Sequence, residues 1–209
     1  MIQTLQNGIM DVNTYIVSND KDLIVIDPGE QVDLISEIID NSQLTFIGIL
    51  ITHGHFDHIA GIDPLVERYN VPVYTSARNK IIMHNSELNL SDMMTSPFVP
   101  EAPLTTTTPH MSLGSFEIDV IDASGHTFGD EAFYIKSENA LFTGDALFKG
   151  CVGRHDFPTS SLGFLKKTIR RIRDLPFDAD IYPGHGEKTT LSYERKHNYY
   201  IKNVDWNAY

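Results

Sequence analysis

Hydrophobic residues along this chain gather in short runs that stop at turn signals. Residues 12–17, with Thr14 and Tyr15 inside the run, predict a strand, and residues 23–26 predict a second one that ends at Asp27-Pro28-Gly29. Val32, Leu34, Ile35, Ile38 and Ile39 approximate one helical stripe. Residues 46–51 follow as a buried strand, 59–69 as a helix and 71–74 as the next strand. In the second half, residues 116–121, 132–135, 140–142 and 179–182 read as strands, and residues 162–172 and 191–204 as helices. Strands mixed with helices in both halves imply sheets covered by helices, an α/β layered fold, in one domain spanning residues 1–209.

Residues 85–109 break this pattern. They hold Pro97, Pro100, Pro103 and Pro109 with four successive threonines from Thr105. Such a stretch is a long connection: either a lid carrying Met93, Met94 and Phe98 over a site, or a surface loop packed on itself.

Hydrophobic residues at 41% and charged residues at 21% are ordinary globular values. No run reaches the roughly 18 apolar residues of a membrane span, so no membrane partner is expected. Residues 1–7 lack the basic and apolar parts of a secretory signal, and Cys151 is the only cysteine, so an intrachain disulfide is ruled out. A cytoplasmic location is the simple expectation. The net charge of −12 makes an acidic surface that repels phosphate backbones, so nucleic acid is not an expected partner. Bound metals can still make one local positive pocket, which keeps a small anionic substrate open.

Chemistry concentrates directly after residues 46–51. His53, His55, Asp57 and His58 put three imidazoles and a carboxylate within six residues. Burying them together is costly unless something pairs with them, and a divalent metal suits histidine nitrogen and aspartate oxygen at once. His53 and His55 are two apart past a strand end, so both can face one ion. Three later positions repeat the pattern of a ligand type after a strand and beside glycine: His126 after Gly125, Asp145 after Gly144, and His185 between Gly184 and Gly186. Five histidines and two aspartates exceed one tetrahedral site, and two metals with a shared carboxylate fit the inventory. His84, His110 and His197 lack such flanks and read as surface or structural residues.

The run His53-x-His55-x-Asp57-His58, followed in order by His126, Asp145 and His185, resembles the metallo-β-lactamase superfamily. The segments Phe142-Thr143-Gly144-Asp145-Ala146-Leu147-Phe148, Val152-Gly153-Arg154-His155-Asp156-Phe157-Pro158 and Pro183-Gly184-His185-Gly186 are similar to glyoxalase II-like (hydroxyacylglutathione hydrolase-like) enzymes of the short bacterial type. The resemblance implies a four-layer αββα sandwich with the metal site at one edge of its two sheets. It implies that His53, His55 and His126 hold one metal, that Asp57, His58 and His185 hold a second, and that Asp145 bridges them. Zinc is the first expectation, with iron or manganese as alternatives. Ser124 and Phe128 stand where the family often has prolines, which alters loop shape rather than the ligand set. The helical C-terminal domain with which full-length glyoxalase II holds glutathione reads as absent, which opens the substrate question more than the reaction class. Cys151 lies outside every ligand slot, which counts against β-lactamase activity.

The expected reaction is hydrolysis of a small anionic acyl thioester, like S-lactoylglutathione, by a hydroxide held between the metals, with Asp57 both binding metal and orienting that hydroxide. A thiol has a pKa of about 8.5 and leaves without a strong general acid, which favours thioesters over amides. Arg154 is a candidate partner for a substrate carboxylate, against a structural salt bridge. Phe148, His155 and Phe157 are candidate pocket residues, with core packing as the alternative for the phenylalanines. Asp27 reads either as an orienter of a ligand or as a turn cap. Cys151 reads as a small packing residue, and Arg170, Arg171 and Arg173 as a solvated helix face. Alternatives are a mono-iron persulfide dioxygenase, a lactonase, a ribonuclease, and a non-enzymatic metal-binding interaction module.

Overall fold

The computed structural model describes residues 1–8 and 10–204. In chain order the elements are β1 (Ile2–Asn7), β2 (Val12–Ser18), β3 (Asp22–Ile26), α1 (Val32–Ser42), β4 (Thr45–Leu50), α2 (Phe56–Ile59), α3 (Ile62–Tyr69), β5 (Val73–Thr75), α4 (Ala77–Met83), β6 (Leu104–Thr106), β7 (His110–Leu113), β8 (Phe116–Asp122), β9 (Glu131–Ile135), β10 (Ala140–Gly144), β11 (Leu147–Phe148), β12 (Cys151–Val152), α5 (Leu162–Arg173), β13 (Asp180–Pro183), β14 (Thr189–Thr190), α6 (Leu191–His197) and α7 (Tyr199–Lys202).

Two six-stranded sheets form, in the orders β1-β2-β3-β4-β5-β6 and β14-β13-β10-β9-β8-β7, with β11-β12 as a separate hairpin. In the first sheet β3, β4, β5 and β6 run parallel, and in the second β10 and β13 do. Strands buried on both faces need apolar residues at every position, which is why β3 reads Asp-Leu-Ile-Val-Ile without alternation.

Three buried clusters define four layers. Between the sheets, Tyr15, Val17, Ile24, Ile26 and Leu50 meet Phe116, Ile118, Phe133, Ile135 and Phe142. Outside the first sheet, Ile35, Ile39, Ile62 and Leu65 of α1 and α3 cover Leu23, Val25, Ile49 and Val73. Outside the second, Leu165, Ile169, Ile172, Leu191 and Ile201 cover Leu141, Ala132 and Ile181. The arrangement is helix–sheet–sheet–helix, as expected.

Details depart from the sequence expectations. The helix expected over 59–69 is broken before Ile62, where the Gly61 amide donates to the Pro28 carbonyl at 2.8 Å and turns the chain against the Asp27-Pro28-Gly29 turn. The helix expected over 191–204 divides at Asn198, whose extended backbone (φ −70°, ψ 122°) ends α6 and whose side chain caps α7. Residues 85–109 contain β6, paired in parallel with β5. The rest of that stretch closes on itself: Ser91 Oγ donates to the Phe98 carbonyl and accepts from the Phe98 amide, and the Asn89 amide side chain donates to Phe98 O at 2.9 Å. Met93 points into solvent. Cys151, expected as a packing residue, is exposed, because alternate side chains of its two-residue strand face outward while Val152 faces the core. Among the described residues no helix is long and apolar enough to cross a membrane.

The site follows from this topology. The segments after β4, β8, β10 and β13 leave the sheets at one edge, and β2 ties the two sheets there: the Asn13 amide donates to the Gly184 carbonyl at 2.7 Å and Val12 bridges His185.

Candidate metal centre

The turn after β4 carries His53 and His55, and the short α2 carries Asp57 and His58, with His55 at its N-cap. His126 follows β8, Asp145 follows β10, and His185 follows β13. All seven side chains converge. His53, His55 and His126 form one group whose ligand atoms lie within 4.8 Å of one another; Asp57, His58 and His185 form another, and His53, His58 and Asp145 a third. The first two are the triads that the resemblance implies. The Asp145 carboxylate lies between them: Oδ1 is 3.5 Å from His58 Nε2, while Oδ2 is 3.5 Å from His126 Nε2 and 3.6 Å from His185 Nε2. Asp57 Oδ2 is 3.3 Å from His185 Nε2 and 3.7 Å from His58 Nε2.

The nitrogens point at one another in a way that hydrogen bonds do not satisfy. Nδ1 of His55 lies 3.1 Å from His53 Nε2 and 3.0 Å from His126 Nε2. One proton on His55 Nδ1 cannot serve both neighbours. Burial first, and the neighbouring imidazoles next, push His53 and His55 well below the ordinary histidine value, and burial lowers His126 as well. Neutral imidazoles with converging lone pairs call for a cation between them. Two metal–nitrogen bonds of ~2.0–2.1 Å at a tetrahedral angle set the nitrogens about 3.4 Å apart, close to the spacing found here. Asp145 Oδ1 is buried without a hydrogen-bond partner, and a buried carboxylate oxygen left so is costly unless an ion meets it. The donor set therefore fits divalent metal.

For three of the five rings the nitrogen on offer is fixed from behind, whereas His55 Nε2 is buried without a hydrogen-bond partner. His58 Nδ1 lies 2.9 Å from Asp27 Oδ2, leaving Nε2 to the centre. His126 Nδ1 lies 2.9 Å from the Arg154 carbonyl, and His53 Nδ1 lies 3.3 Å from Thr52 Oγ1. Such partners set tautomer and ring angle in metal sites. Asp27 also accepts from the Thr52 amide at 2.8 Å and hydroxyl at 2.6 Å. Of its two expected roles, the orienting geometry is the one found. In the metal-free chain burial works to lower His58, but Asp57, Asp27 and Asp145 outweigh it and push the ring up to about 10. Burial acts to raise Asp57, yet His58 and His185 hold it well below the usual carboxylate range.

Three residues passed over in the sequence shape the centre. Buried Asn13 donates to Pro183 O at 3.0 Å and Gly186 O at 2.9 Å, clasping the turn that carries His185. Buried Asp130 accepts from the Thr127 amide at 2.7 Å and from its hydroxyl, fixing the loop after His126. Asn89 O accepts from the Phe56 amide at 2.8 Å, so the 85–109 segment buttresses α2 from outside. A polar residue inside an apolar run, as Asn13 is, was the one available signal.

The candidate substrate residues divide. The Phe157 ring lies 5.3 Å from His55 and 5.6 Å from His126, and the Phe148 ring lies 6.2 Å from His185. Arg154 makes a bidentate pair with Asp156 (2.9 and 3.0 Å) and covers the Phe157 ring at 4.3 Å. His155 is half-buried in the same loop, beside the exposed Asp156 that the Arg154 pair holds below the usual carboxylate range.

The model of the family described as "Metallo-beta-lactamase superfamily" matches residues 7–185. The chain belongs to the metallo-β-lactamase superfamily. Among superfamily proteins, one named probable metallo-hydrolase in Streptococcus pyogenes serotype M6 is 34% identical over 92% of this chain and 86% of its own length. Hydroxyacylglutathione hydrolase GloC of Haemophilus influenzae is 28% identical over 90% of this chain and 91% of its own. Of solved superfamily structures, the BLEG-1 B3 metallo-β-lactamase has a TM-score of 0.90 at 31% identity, covering 96% of this chain and 99% of that one. TTHA1623 in a di-iron-bound form has a TM-score of 0.86 at 31% identity, covering 95% and 99%.

Proposed function

We propose that this superfamily member is a binuclear metallohydrolase that cleaves a small anionic acyl thioester, in the manner of the short glyoxalase II-like enzymes. The observation that carries the reading is the pair of triads meeting at Asp145, with an orphaned buried oxygen between them. The likeness to TTHA1623, solved in a di-iron-bound form, supports two ions, and the likeness to GloC supports the thioester. Zinc is the proposed metal, with iron and manganese as the alternatives.

Bound divalent ions supply Lewis acidity and an acidified water. The chain's own groups do the rest. His53, His55 and His126 are neutral and ready to ligate without giving up protons. Asp57, which His58 and His185 keep ionised against its burial, is the acceptor that would orient the attacking water. Phe157 and Phe148 flank the two triads and limit water around the reacting carbonyl. Arg154, exposed at the mouth, exchanges Asp156 for a substrate carboxylate. The leaving thiolate needs no acid, consistent with a centre where each close side chain is a ligand or an acceptor.

The likeness to BLEG-1 favours β-lactams as a second reading. The test is a panel of acyl thioesters, lactones, persulfides and a β-lactam, assayed with metal content measured on the same preparation. Thioester turnover with about two metals per chain supports the proposal. Oxygen uptake with a persulfide and one iron, or β-lactam turnover without thioester turnover, replaces it.

A further inference from the structure

Beside His185 lies a feature that the ligand set does not use. A cavity of about 550 Å³ is lined by Lys149, Gly150, Gly186, Glu187, Tyr193 and His197. It sits between the tip of the β11–β12 hairpin, the turn after His185 and helix α6. A side chain added at Gly150 or Gly186 would meet nothing within 4 Å, so both glycines open onto this space. Gly186 follows His185 in the chain and Lys149 follows Phe148, whose ring stands 6.2 Å from that of His185, so two of the cavity's lining residues are chain neighbours of groups at the Asp57–His58–His185 triad. Arg154 and Phe157 border the other triad. The centre thus has a cation at each end.

The hairpin tip is held in place rather than draped. Buried Glu194 of α6 accepts from the Gly150 amide at 2.8 Å, from Asn198 Nδ2 at 2.8 Å and from the Thr189 hydroxyl at 2.7 Å. One turn of α6 presents a stacked pair, Tyr193 and His197, with ring centroids 4.2 Å apart and planes at 27°. Across the cavity the Lys149 ammonium pairs with the Glu187 carboxylate. Each raises the other's charge: Glu187 pushes Lys149 up, and Lys149 pulls Glu187 down. The Glu187 side chain is 79% exposed and that of Lys149 43%. An ion pair this exposed is weak, so an incoming carboxylate can take the place of Glu187 on Lys149.

Resting on the thioesterase reading, we propose that this cavity receives the acyl end of the substrate, and that the acyl group ends in a carboxylate which Lys149 binds in exchange for Glu187. The substrate class is the half-thioester of a dicarboxylic acid, with its methylene chain against Tyr193. Hydrolysis consumes one water, forms the C–O bond of the free dicarboxylic acid, breaks the C–S bond and releases the thiol. Glu187 screens the subsite against neutral acyl groups only weakly but competes directly with anionic ones, so its removal should help the anionic substrate.

The full chain, reconstituted with zinc, is assayed with succinyl and butyryl thioesters of N-acetylcysteamine, a neutral thiol. Lys149→Gln is expected to cut the succinyl-to-butyryl ratio of kcat/KM by about three- to fivefold, and Glu187→Gln to raise it about twofold, both through KM. Unchanged ratios in both Lys149→Gln and Glu187→Gln overturn the subsite while leaving the thioesterase reading in place. Calorimetric binding of the carboxypropyl thioether of N-acetylcysteamine and of its butyl counterpart, which have no scissile carbonyl, gives a readout without turnover. Tighter binding of the carboxypropyl compound, weakened in Lys149→Gln and strengthened in Glu187→Gln, supports the subsite even if no thioester is hydrolysed. Equal binding of the two thioethers in all three proteins overturns it.

Discussion

Asp27 Oδ2 lies 2.9 Å from Nδ1 of His58, 31 residues later in the chain. Both side chains are buried, at 1% and 0% exposure, so the contact is shielded from water. The same carboxylate holds the Thr52 amide and hydroxyl at the end of β4, so one aspartate sets both the start of the ligand turn and the angle of a ring at its far end. Asp27 sits at φ 51°, the left-handed region that aspartate and asparagine tolerate better than other side chains.

Asp27→Asn separates the charge from the backbone. Asparagine keeps the left-handed turn, but its amide sets a donor against either Thr52 or His58. Metal affinity on the His58 side is expected to fall about 10- to 100-fold, with a stability loss of about 1–3 kcal/mol. Chelator competition and urea unfolding measure the two. Wild-type affinity in this variant would contradict the orienting role.

Gly184→Ala tests the closeness of the centre. A Cβ at Gly184 would stand 2.1 Å from Asp145 Oδ1 and 2.8 Å from His58 Cε1. The carboxylate must move, and both triads lose their shared neighbour. Bound metal should drop to about one ion per chain or fewer while far-UV circular dichroism keeps its mixed α/β form. Full metal content in this variant would show that the backbone gives way instead.

Metal uptake should release a proton. His58 in the metal-free chain is pushed up to about 10, above its ordinary 6.5, so at neutral pH the folded ring is protonated. Ligation through Nε2 needs that nitrogen free, so affinity rises with pH until the ring deprotonates on its own. Titrating zinc calorimetrically in buffers of different ionisation enthalpy reads the number released. Heats that do not depend on the buffer would mean that His58 is neutral before the ion arrives.

How much of this was open in the sequence differs by element. The central strands of the parallel regions were legible because they are buried, and a run such as that of β3 has no other reading. The seven converging residues were legible because histidines and aspartates gathered just after apolar runs, five of the seven beside a glycine, have few other uses. Strand β1 was not: Ile2 and Leu5 are three apart on an edge strand whose other described side chains face solvent, so no period of two is written there. Strand β6 was hidden among prolines and threonines, because what makes it a strand is its pairing with β5 rather than its own composition. Asp130 and Glu194 looked like ordinary surface polar residues, since what covers a polar group is set by packing and not by its own segment, whereas Asn13 stood out as a polar residue inside an apolar run. The loss of helix at Gly61 and Asn198 likewise depends on what each backbone meets.

Glu131 gives a pH prediction away from the centre. Burial, and the facing Asp122 on β8, push its carboxyl up from 4.5 to about 7, against the Thr107 hydroxyl that donates to it at 2.6 Å. A carboxyl with a raised folded value keeps its proton on folding. Its contribution is whole below about 4.5 and is lost as pH rises through about 7. Glu131→Gln removes that dependence and should make the protein more stable than wild type near pH 8 by up to about 3 kcal/mol. Chemical denaturation at pH 5 and pH 8 checks it, and parallel curves for the two proteins would place the carboxyl at an ordinary value.

In the proposed reading, side chains far apart in sequence hold two divalent ions at one sheet edge. Crystals of the zinc-reconstituted chain, measured on both sides of the zinc absorption edge, test it most directly. Two anomalous peaks are expected, one among His53, His55 and His126 and one among Asp57, His58 and His185, with Asp145 reaching both. A single peak confined to one triad, or none at either, would contradict it.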